Sequence, residues 1–164
     1  MKALVVYESF WGNTAAVARA IAEGLGPEAR AVVTSDATPA LVADADLVVV
    51  GAPVLGFRLP TEEMRESIGK GMSGSSAPDL SHPSLRSWLA GLSRHGGRYA
   101  AFETRVRMSP GGATPAIGKE MERAGFRAVA KARRFIVTGK YGPLRRGELE
   151  LAKQWGAELA RAME

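Results

Sequence analysis

Ala3-Leu4-Val5-Val6-Tyr7-Glu8-Ser9-Phe10-Trp11-Gly12-Asn13-Thr14-Ala15-Ala16-Val17-Ala18-Arg19-Ala20-Ile21 is the stretch whose reading decides the fold. Ala3 to Tyr7 is short and continuously apolar, the pattern of a strand buried on both faces of a parallel sheet. From Val17 onward the apolar positions Val17, Ala20, Ile21 and Leu25 recur at helical spacing, with Arg19 and Glu23 left for solvent. The chain must therefore turn sharply between the two elements. Gly12 removes a side chain at the bend, and Ser9, Asn13 and Thr14 carry groups suited to capping a helix start. The first N–H groups of such a helix lack internal partners, and its dipole places roughly half a positive charge there. A phosphate would satisfy both deficits. The same residues would also serve as a plain helix cap, and this segment alone leaves the two readings level.

The wider pattern tips the balance. Val5-Val6-Tyr7-x-Ser9-x-x-Gly12-x-Thr14-x-x-x-Ala18-x-x-Ile21 resembles the flavodoxin signature across strand, loop and helix. The resemblance implies that Ser9, Phe10, Trp11, Gly12, Asn13 and Thr14 form the loop holding the 5′-phosphate of FMN. It extends through GAPVLGFRLP (51–60), AAFETR (100–105) and GPLRRGELELAKQWGAELA (142–160), which look like flavodoxin-domain proteins common in actinobacteria. The basic residues, mostly arginine, fit such a source.

With 164 residues, 46% of them hydrophobic and 24% charged, the chain is expected to form one globular domain over residues 1–164. No apolar run reaches the length of a membrane span, and Met1-Lys2 leads straight into a strand rather than a secretory signal, so the expected location is cytoplasmic. The absence of cysteine excludes disulfides, thiolate metal sites and cysteine nucleophiles. His82 and His95 stand apart in polar, Pro- and Gly-containing surroundings, without the clustering that metal ligation needs. The net charge of +5 departs from the acidic balance of electron-carrying flavodoxins. The excess gathers at Arg123, Arg127, Lys131, Arg133, Arg134, Lys140, Arg145 and Arg146, as a solvated face, a docking surface for an acidic redox partner or a site of non-specific polyanion contact. No nucleic-acid module accompanies it.

Apolar runs alternate with helical patterns throughout, predicting an α/β fold. Strands are expected near 2–7, 30–34, 46–51, 98–103 and 133–138, in the flavodoxin-like order 2-1-3-4-5 of a five-stranded parallel sheet covered on both faces. Helices are expected near 13–25, 38–43, 84–93, 114–124 and 146–163, with a short helical piece at 61–68. In the last helix Leu149, Ala152, Trp155, Gly156, Leu159 and Ala160 form one apolar stripe, which makes Trp155 a core residue. The Gly-, Ser- and Pro-rich stretch 69–83 reads as a mobile surface loop.

Ligands of open parallel sheets bind beyond the carboxyl ends of the strands, where loops 8–14, 52–60 and 103–113 of this chain meet. By resemblance Pro53, Val54, Leu55, Gly56 and Phe57 contact the flavin ring, with Gly56 supplying a peptide free to flip and Phe57 either stacking on the ring or anchoring its own loop. Glu103, Thr104, Arg105 and Gly112 are expected at the pyrimidine edge and the following turn. The Trp often found in the second loop and the Tyr usual in the third are both missing, which leaves the outer ring face open or covered by Arg105 or Met108. Arg58 and Arg105 either lie on the rim or approach flavin N1 and O2, where a guanidinium would favour the anionic reduced form.

A receiver domain would need a carboxylate where the third strand ends in Gly51-Ala52-Pro53, a dinucleotide fold would need G-x-G-x-x-G, and a low-molecular-weight phosphatase would need cysteine. Three functions stay open. The first is an FMN-binding carrier of electrons between a reductase and an acceptor. The others are an FMN-dependent oxidoreductase using a quinone or nicotinamide, and a flavin-free binding module.

Overall fold

Leu4, Val6, Val48 and Val50 face one side of a parallel sheet while Ala3, Val5, Leu47 and Val49 face the other, so β1 (Ala3–Tyr7) and β3 (Leu47–Pro53) are apolar without alternation. The computed structural model describes residues 1–70 and 77–164. β1 pairs in parallel with β2 (Ala29–Val33) on one side and β3 on the other, and β3 pairs with β4 (Gly97–Val106). The strand order is thus the expected 2-1-3-4, with a fifth position beyond β4.

That fifth position is divided. β5 (Phe126–Ala128) pairs with the start of β4, and β6 (Arg133–Val137) pairs with its end. Between Ala128 and Arg133 the outer chain advances five residues while β4 advances three from Tyr99 to Phe102, so two extra residues bulge from the edge. The expected strand at 133–138 is β6, and β5 is an addition. β4 also runs further than expected, to Val106, because β6 pairs with it from Phe102 onward. Glu103, Thr104 and Arg105 are therefore strand residues, and the third loop begins after them.

α1 (Asn13–Leu25) and α6 (Glu148–Ala162) cover the Val5 face. They cross closely at two glycines: a Cβ on Gly24 would stand 1.9 Å from the Lys153 carbonyl oxygen, and one on Gly156 2.2 Å from that of Ile21. Trp155 packs edge-on against Phe102 and Phe135, in the core as expected. The opposite face carries α2 (Pro39–Asp44), α4 (Leu85–Ala90) and α5 (Thr114–Arg123). Thr38, Thr61 and Ser84 cap α2, α3 (Glu62–Gly69) and α4 by accepting hydrogen bonds from Leu41, Met64 and Ser87 N–H. Among the described residues no helix is long and apolar enough to cross a membrane.

Of the surface loop expected at 69–83, residues 71–76 lie outside the described residues. Its later part is anchored: Asp79 N–H donates to the Phe10 carbonyl at 2.8 Å, and His82 is only 4% exposed.

Candidate functional site

The turn after β1 is made by Gly12, whose φ of +90° is the left-handed conformation that glycine adopts without strain. Gly12 is itself the N-cap of α1, with no side-chain capping bond, so the caps expected from Asn13 and Thr14 are not formed. Ser9 does the local work instead, its Oγ accepting from Gly12 N–H at 3.2 Å and Ala15 N–H at 3.3 Å. Among the described residues no acceptor stands opposite the N–H groups of Asn13 and Thr14, at the positive end of α1. Thr14 Oγ1 lies 2.8 Å from Thr104 Oγ1, tying the cradle to β4.

Asn13 has a different task from the one its sequence position suggested. Its Nδ2 donates to the Tyr141 carbonyl at 3.1 Å, and Trp11 meets the Tyr141 ring edge-on at 4.9 Å. The connection between β6 and α6 is thereby docked on the cradle. Phe10 turns inward beneath the Arg65 guanidinium, 5.6 Å from its ring centre.

The second loop makes a tight turn in which Leu55 N–H donates to Arg58 O at 2.9 Å and Arg58 N–H returns to Leu55 O at 3.3 Å. Gly56 and Phe57 occupy its two central positions with φ of +55° and +68°. Both lie in the left-handed region, as a two-residue reverse turn of this hand requires. The Phe57 side chain is 60% exposed, whereas its carbonyl accepts from Gly112 N–H at 3.0 Å. Residue 111 must be glycine here, since a Cβ would lie 2.0 Å from that same carbonyl oxygen.

The third loop is organised from β4. Glu103, 1% exposed, accepts at Oε1 from the N–H groups of Ala113 and Thr114 and the Thr114 hydroxyl, capping α5 with a carboxylate. Its Oε2 accepts from Arg105 Nη1 at 2.7 Å, and Arg105 also donates to the carbonyls of Gly111 and Ser109. Both charged side chains are spent on holding the loop, and the Arg105 Nε is left without a partner among the described residues.

These loops enclose a cleft of about 180 Å³. It is lined by Ser9, Phe10, Trp11, Asn13, Thr14, Pro53, Val54, Leu55, Gly56, Thr104 and Arg105 from the residues singled out in the sequence. Gly12, Phe57, Glu103 and Gly112 act from behind or at the rim. Val106, Val137, Gly139 and Lys140 complete the wall unannounced, because β6 and the turn after it give no local signal of reaching the cradle.

Behind the cradle lies a buried polar cluster. Glu8 is fully buried and paired with Arg65, whose other amino group donates to the His82 carbonyl. His82 Nε2 in turn accepts the Ser9 N–H at 3.4 Å. Burial pushes the Glu8 carboxyl up to about 7 despite the opposing pull of Arg65. Burial, with the Arg65 charge adding to it, holds His82 below its ordinary range, against the smaller pull of Asp79. A neutral His82 is what the Ser9 bond needs, since a protonated Nε2 could not accept it.

A doubly wound parallel sheet with an anion cradle after its first strand is the architecture of mononucleotide-binding α/β proteins. The family model described as Flavodoxin matches residues 5–155. An archaeal flavodoxin superposes with a TM-score of 0.68 at 20% identity, covering 99% of both chains. Oxidised Flavodoxin 1 from Bacillus cereus gives 0.67 at 17% identity, with 98% of each chain covered. Two-electron reduced Megasphaera elsdenii flavodoxin gives 0.59 at 20% identity, covering 95% of this chain and 98% of the other. No curated protein is significantly similar in sequence. The chain belongs to the flavodoxin family. FMN is that family's cofactor, and electron transfer its chemistry.

Proposed function

We propose that this chain, as a single domain, is an FMN-dependent electron carrier that shuttles between a reductase and an acceptor in the cytoplasm. The observation that carries the reading is the cradle: N–H groups of Asn13 and Thr14 that have no partner among the described residues, at the positive end of α1, with the Thr14 hydroxyl, opening into a cleft to which no described residue contributes a carboxylate. Those donors suit a phosphate. Pro53, Val54, Leu55 and the Gly56 peptide offer the apolar wall and backbone groups a ring system needs. Bound FMN supplies the redox chemistry, so the residues need only hold and orient it. The cleft is smaller than the roughly 300 Å³ at which ligand pockets usually begin, so a flavin held here stays partly exposed, as exchange of electrons with another protein requires. The positive net charge favours an acidic redox partner.

Titration with FMN, followed by flavin fluorescence, should give one-to-one binding, and Thr14→Val should weaken it by about 1–3 kcal/mol through loss of a charge-assisted hydrogen bond. No binding at micromolar FMN would overturn the reading. Sustained turnover of NADH or NADPH with a quinone by the protein alone would replace the carrier with an enzyme.

A further inference from the structure

The β6–α6 turn reaches the cradle without any counterpart in the sequence pattern that announced the phosphate loop. Its position is fixed from three directions. Asn13 Nδ2 holds the Tyr141 carbonyl, the Tyr141 ring packs on Trp11, and a Cβ on Gly142 would stand 2.6 Å from Asn13 Oδ1. Lys140, the residue preceding Tyr141, is thereby placed in the wall of the same cleft as Ser9, Asn13 and Thr14.

The charges in that wall do not balance. Among the described residues two cations line it, Arg105 and Lys140, and no carboxylate does. Arg105 is neutralised by Glu103 and held by two carbonyls. Lys140 has no carboxylate within ion-pair distance among the described residues, and its ammonium rests 5.6 Å from the centre of the Tyr141 ring. A phosphate monoester carries close to two negative charges at neutral pH, whereas α1 offers only about half a positive one. The hydroxyls and N–H groups of the cradle are neutral.

Resting on the FMN reading above, we infer that Lys140 is a specificity-determining residue that supplies the counter-charge for the ligand's phosphate. Its flexible stem and point charge suit a swing from the Tyr141 ring to a phosphate oxygen. Lys140 then makes the site discriminate a phosphorylated flavin from the same flavin without its phosphate, and makes binding sensitive to salt.

The test compares FMN with riboflavin on the wild type, Lys140→Met and Lys140→Arg, each at low and high sodium chloride, with circular dichroism confirming the fold. Lys140→Met should weaken FMN roughly tenfold or more, leave riboflavin unchanged and flatten the salt dependence, while Lys140→Arg keeps most of the FMN affinity. Equal weakening of both flavins would show that Lys140 only shapes the loop, and an unchanged FMN affinity would show that the phosphate lies beyond its reach. Either result overturns the inference while the cofactor reading stands. A wild type that binds neither flavin overturns both.

Discussion

Glu8 follows β1 directly, and its carboxyl lies fully buried in the interior, hydrogen-bonded to Arg65. That burial makes folding pH-dependent in a definite direction. Between the ordinary 4.5 and the native value of about 7, the unfolded chain has released the proton that native Glu8 still holds. Glu8 therefore stabilises the fold fully below 4.5, and that contribution, about 3 kcal/mol for such a displacement, is lost as pH rises through 7. His82 acts oppositely, since its native value lies below the ordinary 6.5 and its contribution is lost as pH falls through that lowered value. The wild-type curve is the sum of two opposed slopes. Urea unfolding between pH 4.5 and 8 should show Glu8→Gln losing stability towards acid and His82→Asn losing it towards neutral pH. Two variants with the same slope as the wild type would refute this account. Both residues touch Arg65, directly or through its partner carbonyl, so their effects are not expected to add, and the double variant measures the coupling.

The α1–α6 crossing is the element-scale feature on which packing depends most closely. Alanine favours helix over glycine by about 1 kcal/mol, so propensity alone would make Gly156→Ala stabilising. The added methyl would meet the Ile21 carbonyl at 2.2 Å and Gly24 Cα at 3.0 Å, backbone atoms that cannot swing aside. The clash wins, and Gly156→Ala should lower the unfolding free energy by about 2 kcal/mol in urea denaturation; an unchanged or raised midpoint would mean the helices can separate at little cost. Elements are legible where the apolar pattern is local: β1 and β3 are apolar throughout, and α1 and α6 each carry an apolar stripe. β5 was not, because among Phe126, Arg127 and Ala128 only Phe126 is buried. The end of β4 runs past its sequence pattern for a related reason. Glu103, Thr104 and Arg105 are polar and buried, and their partners at 109–114 and at Thr14 come from other elements. Local periodicity reports exposure, not the distant group that makes burial tolerable. Lys140 and His82, read from the sequence only as a surface cation and an isolated histidine, carry no local sign of their places in the cleft wall and the buried cluster, whereas Ser9 to Thr14 do, since a cradle is built from consecutive residues.

At the scale of the whole molecule, the cleft is assembled from the ends of four strands, and its loops brace one another: Phe57 O on Gly112 N–H, Val54 N–H on Thr104 O, Thr14 on Thr104, and Asn13 on Tyr141. Opening any one loop breaks the bond that braces it to its neighbour. A ligand held there binds the folded chain and has little to hold in the unfolded one, so its binding free energy becomes stability of the whole domain rather than of one loop. FMN at one hundred times its dissociation constant should add about 2.7 kcal/mol and raise the melting temperature of a chain this size by roughly 5–10 °C. Release of flavin, read by its fluorescence, should coincide with loss of helix, read by circular dichroism at 222 nm. Flavin release many degrees below the melting of the helices would mean that the loops open on their own and that this bracing does not couple the site to the sheet.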